Sequence, residues 1–273
     1  MLESRFSPET PDPRASNPGN TIMRLPVIRG VIDRRILVNY RVDPQILARI
    51  LPPPFRPQLV HGCGMAGICL IRLRAVRPRG LPAWLGIGSE NAAHRAAVEW
   101  NDGAEIRTGV YVLRRDTNSR LNTLAGGRIF PGVHHRAAFR VRETTSHLEV
   151  ALDSNDGHTS LAVVADVAVT WPRRSIFASL EEASAFYQAG SLGYSLTAGG
   201  SRFEGLELCC QAWRVEPLEV GRVQSSLFGD QAIFPRGSIE LDCGLLMRGI
   251  EHQWHSRDDI CCGSRPRQPL VLH

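Results

Sequence analysis

The strongest constraint on the fold is a period of two in the hydrophobic residues. Apolar side chains occupy every second position in residues 148–152, and after Asn155-Asp156-Gly157 the alternation resumes through residues 161–169. Alternation is typical of half-buried strands, and an Asp-Gly turn between two such runs predicts a β-hairpin. Further strands are predicted at roughly 29–42, 64–76, 106–115, 134–143, 207–215, 220–228 and 239–250.

Three short helices are predicted from local start signals. Asp43 before Pro44 is an N-cap followed by proline at the first helical position. Ser179 and Glu182 form a capping box, and a third helix is predicted for residues 116–124. Many strands with few helices favour the α+β class, mostly β. We therefore expect a single-domain, incomplete antiparallel β-barrel with a few short helices.

The composition varies at the two ends of the chain. Residues 1–20 are rich in Pro, Ser, Asn and charged residues, and they are predicted to be disordered. Residues 21–255 are predicted to form the domain, and residues 256–273 a polar, loosely held tail.

Charge and cysteine content limit the partners and the compartment. The net charge is +5 and the pI is about 9.0, but no helix-turn-helix, RRM or zinc-finger pattern is present, so no nucleic-acid partner is expected. No apolar run approaches the roughly 18 residues of a membrane span. Seven cysteines, an odd number that matches no disulfide framework, favour a reduced cytoplasmic protein. Assembly into a homo-oligomer is left open.

All 32 of the Lys and Arg residues counted in this chain are arginines. Arginine stays protonated in proteins and cannot form a Schiff base with a carbonyl substrate. Schiff-base chemistry on a lysine side chain is therefore excluded.

Two predicted strands each place one polar side chain on an apolar face. His135 shares a face with Ala137, Phe139 and Val141, so it is either a hydrogen-bonded core histidine or a pocket histidine able to act as acid or base. By the same alternation Arg34 lies among apolar residues. A buried guanidinium requires a carboxylate from the protein or from a ligand, unless Arg34 lies at the rim.

Glu90 and His94 are four residues apart and share a face in either a strand or a helix, so we expect that the pair can meet. A carboxylate that orients a histidine is a common catalytic arrangement and also a common structural one. The spacing is not that of a zincin motif, and the sequence has neither a P-loop nor a dinucleotide-binding motif. No metal and no cofactor is expected.

Residues 109–135, which read GVYVLRRDTNSRLNTLAGGRIFPGVHH, and residues 89–100 resemble the YqjF-like bacterial family, domain of unknown function 2071. The likeness covers roughly residues 24–250. The wider superfamily is similar to acetoacetate decarboxylase, which implies an incomplete β-barrel with a buried polar pocket. The resemblance places Arg34 where an arginine lines that enzyme's active site and Glu90 at its pocket glutamate. It also sets His135 and Arg136 where two adjacent lysines stand.

These residues together predict a pocket for a small anionic or carbonyl-bearing molecule. Arg34 and Arg128 would hold a carboxylate, and His135, Glu90 and His94 would supply acid–base chemistry for an enolisation, hydration or lyase reaction. The alternatives are a non-catalytic binding or sensing module that uses the same pocket, and an interaction protein in which these polar groups satisfy one another.

Overall fold

The computed structural model describes residues 26–124 and 132–261. Within these ranges the chain is mostly β with a few short helices, which confirms the predicted class. The strands are β1 (Ile28–Val42), β2 (Arg56–Pro57), β3 (Leu59–Val60), β4 (Cys63–Pro78), β5 (Ile87–Asn101), β6 (Ile106–Thr117), β7 (His135–Glu143), β8 (His147–Ser154), β9 (Ser160–Val167), β10 (Leu192–Leu196), β11 (Arg202–Cys210), β12 (Glu216–Ser225) and β13 (Ile239–Cys261). The helices are α1 (Pro44–Ile50), α2 (Arg120–Leu124) and α3 (Leu180–Ala189), with a 3-10 turn at Ala83–Leu85.

Local sequence signals placed several elements correctly. The predicted hairpin is β8–β9, with Leu152 opposite Leu161. Helix α1 begins after Asp43, whose Oδ1 accepts a 2.7 Å hydrogen bond from the backbone N of Gln45. Helix α3 begins after Ser179, whose hydroxyl accepts one from Glu182 N at 3.3 Å. In both helices the cap satisfies an amide that has no partner within the helix.

The third helix was predicted too early in the chain. Helix α2 begins at Arg120, and Asp116 and Thr117 are the last residues of β6. Backbone pairing keeps both in the sheet, since Asp116 is opposite Ala92 on β5 and His135 on β7. The tertiary contact outweighed the weak helical pattern.

Five strands of the sheet are shared by two closed rings. The sheet follows the order β11-β10-β6-β7-β8-β9-β12-β13-β1-β4-β5-β2, and two additional pairings join β5 to β6 and β11 to β13. The first pairing closes a ring of β6, β7, β8, β9, β12, β13, β1, β4 and β5. The second closes a smaller ring of β13, β11, β10, β6, β5, β4 and β1. Strands β13, β1, β4, β5 and β6 belong to both rings and therefore have an interior on each face.

The sheet is mostly antiparallel, as predicted, but β6 pairs in parallel with both β7 and β10. Parallel neighbours require a crossover connection rather than a hairpin. The chain between β6 and β7 contains α2, and the chain before β10 contains α3.

The larger ring is filled by side chains. Apolar residues from all nine of its strands form one buried cluster, which includes Ile36, Leu70, Val98, Val150 and Leu161. Aromatic rings extend the cluster, with Phe55 5.0 Å from Phe203 between ring centroids. This interior stabilises the fold by removing apolar surface from water.

The last strand is longer than the sequence suggested. Strand β13 continues to Cys261, which is opposite Arg202 on β11, so residues 256–261 of the expected loose tail are paired in the sheet. Residues 1–20, predicted to be disordered, and residues 262–273 lie outside the described residues. Among the helices that the structure describes, none is long and apolar enough to cross a membrane.

Candidate anion-binding cavity

The smaller ring encloses a cavity of about 140 Å³. Each of the ring's seven strands contributes to its lining, together with His134 and the end of α3. The lining residues are Arg35, Cys69, Ile71, Leu73, Asn91, Ala92, Ala93, Arg95, Val110, Val112, Arg115, Asp116, His134, Gly190, Ser191, Gly193, Leu206, Leu208 and Trp254.

Three arginines from three strands of this ring converge on the cavity. Arg35 comes from β1, Arg95 from β5 and Arg115 from β6. Arg35 and Arg95 are buried, with 8% and 5% of their surface exposed. A concentration of positive charge with so little solvent contact is unfavourable unless something compensates it.

The hydrogen-bond partners of Arg35 carry no formal charge. Its Nε donates to Cys69 Sγ at 3.4 Å and its Nη1 to Met247 Sδ at 3.8 Å. The guanidinium also lies 5.7 Å from the centre of the Trp213 ring. Sulfur is a weak acceptor, so these contacts do not replace the water that a guanidinium loses on burial.

Arg95 and Arg115 are also paired with neutral groups. Arg95 Nη2 donates to Asn39 Oδ1 at 3.3 Å, and its guanidinium lies 5.4 Å from the centre of the Tyr187 ring. Arg115 donates to Ser195 Oγ from Nε at 3.1 Å and from Nη2 at 2.9 Å. Burial lowers the pKa of Arg95, and it lowers the pKa of Arg115 to about 10. Both pKa values fall because burial disfavours a charge that has no counter-ion.

Within the described ranges, Arg35, Arg95 and Arg115 form no ion pair with a carboxylate. Arg35 Nη2, Arg95 Nη1 and Arg115 Nη1 likewise have no hydrogen-bond partner in the described part of the chain. Asp116 also lines the cavity, but Arg114 holds both of its carboxylate oxygens at 3.0–3.3 Å. The described residues therefore leave guanidinium donors in the cavity that an anion could use.

His134 is the histidine that faces the cavity. Gly132, two residues earlier, has φ of +83°, and a Cβ there would lie 2.5 Å from Ser195 Cβ, so only glycine fits the turn that directs His134 inward. Its Nδ1 donates to Gly132 O at 3.2 Å. Burial and the charge of Arg115 lower the pKa of His134 to about 3, so the ring is neutral near pH 7 with Nε2 as acceptor.

His135 lies outside the cavity lining. Its Nδ1 is 2.8 Å from Asp156 Oδ2, and 32% of its side chain is exposed. Asp156 also accepts a 2.6 Å hydrogen bond from Arg114. Burial raises the pKa of Asp156, but the hydrogen bond from Arg114 outweighs it, so that this pKa is lowered. Burial and the charge of Arg114 lower the pKa of His135. His134 thus faces the cavity, whereas His135 belongs to an ion-pair network of the protein.

Arg34, predicted to hold a ligand carboxylate, is paired with carboxylates of the protein. Its Nη2 lies 2.6 Å from Glu90 Oε2 and its Nη1 2.9 Å from Glu143 Oε2. Arg72 bridges the same two carboxylates, each at 2.7 Å. Arg34 and Glu90 therefore stabilise each other on the face opposite the cavity, and Arg35 is the residue of β1 that lines it.

Glu90 and His94 share a face of β5, as expected, but they do not meet. Four residues of strand span about 13 Å, so the inference that i and i+4 positions touch holds for a helix alone. His94 is fully buried, and its Nε2 lies 3.0 Å from Ser225 Oγ. Burial and then the charge of Arg114 lower its pKa to about 3.

Sequence reasoning missed most of the cavity lining. Arg35, Arg95, Arg115 and Cys69 carry no local motif, and alternation alone does not distinguish the two faces of a strand that is buried on both. Arg128, the other predicted carboxylate ligand, lies outside the described residues. Among the described residues, no group of three or more His, Cys, Asp or Glu side chains is arranged to hold a metal ion.

Comparisons with solved structures identify the fold. An acetoacetate decarboxylase-like enzyme from Sphingomonas wittichii RW1 matches with a TM-score of 0.54 at 12% identity, over 92% of this chain and 98% of that one. Acetoacetate decarboxylase from Legionella pneumophila matches with 0.53 at 13%, over 94% and 99%. The enduracididine biosynthesis enzyme MppR, complexed with pyruvate, matches with 0.55 at 12%, over 90% and 93%.

The architecture is therefore that of the acetoacetate decarboxylase-like proteins, since likeness at this level of identity establishes fold alone. A comparison with curated proteins found no match. The model of DUF2071, a family of uncharacterised conserved proteins, matches residues 32–238, and the chain belongs to that family.

Proposed function

We propose that this protein binds a small carboxylate, of the 2-oxo acid class, in the cavity of the smaller ring. The observation that carries the proposal is the convergence of Arg35, Arg95 and Arg115 on the cavity. None of the three forms an ion pair with a carboxylate of the described residues. A bound carboxylate would accept charge-assisted hydrogen bonds and neutralise part of the buried charge.

The cavity volume supports a ligand of a few heavy atoms. Its 140 Å³ is close to the roughly 150 Å³ of an engineered protein cavity that admits benzene, a molecule of six heavy atoms. Pyruvate also has six. A structural neighbour, MppR, was solved in complex with pyruvate, which makes this anion a sensible first probe.

Acid–base chemistry at this site would depend on His134. A bound carboxylate would raise the pKa of His134 from its low value, because a nearby negative charge favours the protonated ring. The ring could then accept a proton from the carbon next to the oxo group, and the guanidiniums would stabilise the resulting enolate. This mechanism needs neither a lysine nor a Schiff base. The alternative is a binding or sensing module that holds the same anion without chemistry. In either case we place the protein in the cytoplasm, where its cysteines would remain reduced.

Calorimetry with pyruvate, oxamate and the neutral pyruvamide tests the binding. We expect both carboxylates to bind and pyruvamide not to bind. Replacing Arg115 with Met should weaken oxamate binding about 10- to 100-fold, the value of one hydrogen bond between charged groups. Arg140→Met is the matched control, because Arg140 pairs with Asp153 at the surface. Undiminished binding in Arg115→Met would place the anion elsewhere.

Deuterium exchange into the pyruvate methyl group, followed by proton NMR, separates enzyme from binder. Catalysed exchange that is lost in His134→Gln and kept in His135→Gln would support the acid–base enzyme. Binding without exchange would support the binding or sensing module.

A further inference from the structure

One thiol lines the cavity and has no part in the proposed anion binding. Cys69 lies on β4 and is 8% exposed. Arg35 Nε donates a 3.4 Å hydrogen bond to its Sγ, and Arg95 and Arg115 line the same cavity. The cavity wall that holds this thiol therefore also holds three guanidiniums.

The other thiols that the structure describes have different surroundings. Cys209 and Cys261 are exposed, and Cys63 and Cys210 are half-buried. Cys243 is buried like Cys69 but is absent from the cavity lining, and burial and the charge of Asp242 raise its pKa. Among the thiols in the described ranges, Cys69 is the one that lines this cavity, where a ligand would lie beside it.

We propose that Cys69 adds reversibly to the carbonyl carbon of a small oxo or aldehyde acid whose carboxylate the arginines hold. A bond forms between Sγ and the carbonyl carbon while the carbon–oxygen π bond breaks. The electron pair goes to oxygen, which takes up the proton that the thiol releases, and the product is a hemithioacetal or hemithioketal. Atoms and charge balance without an oxidant, a reductant or another reactant.

This inference rests on the proposed function, because the carboxylate must first be held for the carbonyl to face the sulfur. The arginines would then act twice, by positioning the acid and by donating hydrogen bonds to the oxygen on which negative charge develops. A covalent adduct of this kind is compatible with a chain in which no side chain is a primary amine.

The first test compares iodoacetate with iodoacetamide, which deliver similar groups but differ in charge. Each cysteine is followed separately by peptide mass spectrometry of the folded protein. We expect the ratio of iodoacetate to iodoacetamide rates to be at least about tenfold higher at Cys69 than at Cys209, because the arginines concentrate an anion near the sulfur. Equal ratios at the two residues would overturn the inference.

The second test detects the adduct with carbon-13 glyoxylate labelled at the aldehyde. A hemithioacetal resonance should appear with the wild-type protein and with Cys243→Ala, and its intensity should fall by one equivalent in Cys69→Ala. Glyoxylate should also slow the alkylation of Cys69 more than that of Cys209. A resonance of unchanged intensity in Cys69→Ala would refute the assignment.

Oxamate keeps the two proposals distinguishable, since it has a carboxylate but no electrophilic ketone. Oxamate that binds to wild-type and Cys69→Ala protein, with no glyoxylate adduct at Cys69, would overturn the thiol inference and leave the proposed function standing. If oxamate does not bind to the wild-type protein, the proposed function fails, and this inference fails with it.

Discussion

Arg34 and Arg35 are consecutive residues of β1, yet their guanidiniums lie on opposite faces of one sheet. Arg34 is 1% exposed and contacts Glu90 and Glu143 at 2.6 and 2.9 Å. Arg35 is 8% exposed and contacts two sulfur atoms. The described residues provide a counter-charge for Arg34 and none for Arg35, which is the physical difference between a structural arginine and one available to a ligand.

This difference predicts opposite effects on stability. Arg35→Met should raise the free energy of unfolding by about 1–3 kcal/mol, because it removes a buried charge that has no counter-ion. Arg34→Met should lower it by about 2–4 kcal/mol, because two carboxylates lose a partner. Urea denaturation of the two variants without ligand measures both changes. Changes of the same sign would contradict the assignment.

Removing a carboxylate from the Arg34 network should also destabilise the fold. Glu90→Gln should cost about 2–4 kcal/mol, since Arg34 has little solvent to replace the lost charge. The matched control is Glu99→Gln on the same strand, where the pair with Arg56 is solvent-exposed and worth less than about 1 kcal/mol. Chemical denaturation gives both values, and similar losses in the two variants would disprove the buried role of Glu90.

The buried histidine of the larger ring should make the protein sensitive to acid. Because the pKa of His94 falls to about 3 on folding, the unfolded chain binds a proton that the folded protein does not between pH 6.5 and about 3. Stability is therefore lost as the pH falls through this window. His94→Gln should reduce the slope of stability against pH by about 1.4 kcal/mol per unit between pH 6 and 4.

His147 provides a control with the opposite sign. Its hydrogen bond to Asp166 raises its pKa, so its contribution to stability is present below the unfolded pKa and is lost as the pH rises through the folded one. His147→Gln should change the slope in the direction opposite to His94→Gln, and it should do so above pH 6.5 rather than below it. Denaturation curves across the pH range for both variants test this, and slopes that move together would argue against the assigned burial of His94.

The turn before His134 should matter for binding as well as for folding. Gly132→Ala should weaken oxamate binding, because the new Cβ would lie 2.5 Å from Ser195 Cβ and displace both His134 and the acceptor of Arg115. Gly157→Ala introduces a residue at a similar φ, +76°, with no atom within 4 Å. Both variants should lose roughly 1 kcal/mol of stability from backbone strain, and Gly132→Ala should lose more because its Cβ has no room. Calorimetry should show weaker binding in Gly132→Ala alone.

Incubation with acetoacetate and borohydride should leave no adduct on any side chain. Trapping requires an imine, an imine requires a neutral primary amine, and this chain contains no lysine. Intact mass and peptide mapping check the outcome. A reduced adduct on a side chain would contradict the exclusion of Schiff-base chemistry.

The sequence by itself determined the local elements and one chemical exclusion. Alternation and an Asp-Gly turn placed the β8–β9 hairpin, and two N-caps placed α1 and α3, because these signals act over a few residues. The absence of lysine excludes imine chemistry on a side chain in any fold this chain could adopt. The family resemblance supplied the remaining architecture, which the structure confirms.

Only the tertiary structure decided which polar residues face the cavity. Residues 34–40 are all buried, because β1 belongs to both rings. Alternation therefore assigns these residues to two faces of the strand but does not show which face lines a cavity. On β6 a bulge opposite His94 and Arg95 shifts the register, so that Val112 and Arg115 face the same side although they are three residues apart. Ring closure and this bulge depend on pairings between distant strands, and together they bring Arg35, Arg95 and Arg115 to one cavity.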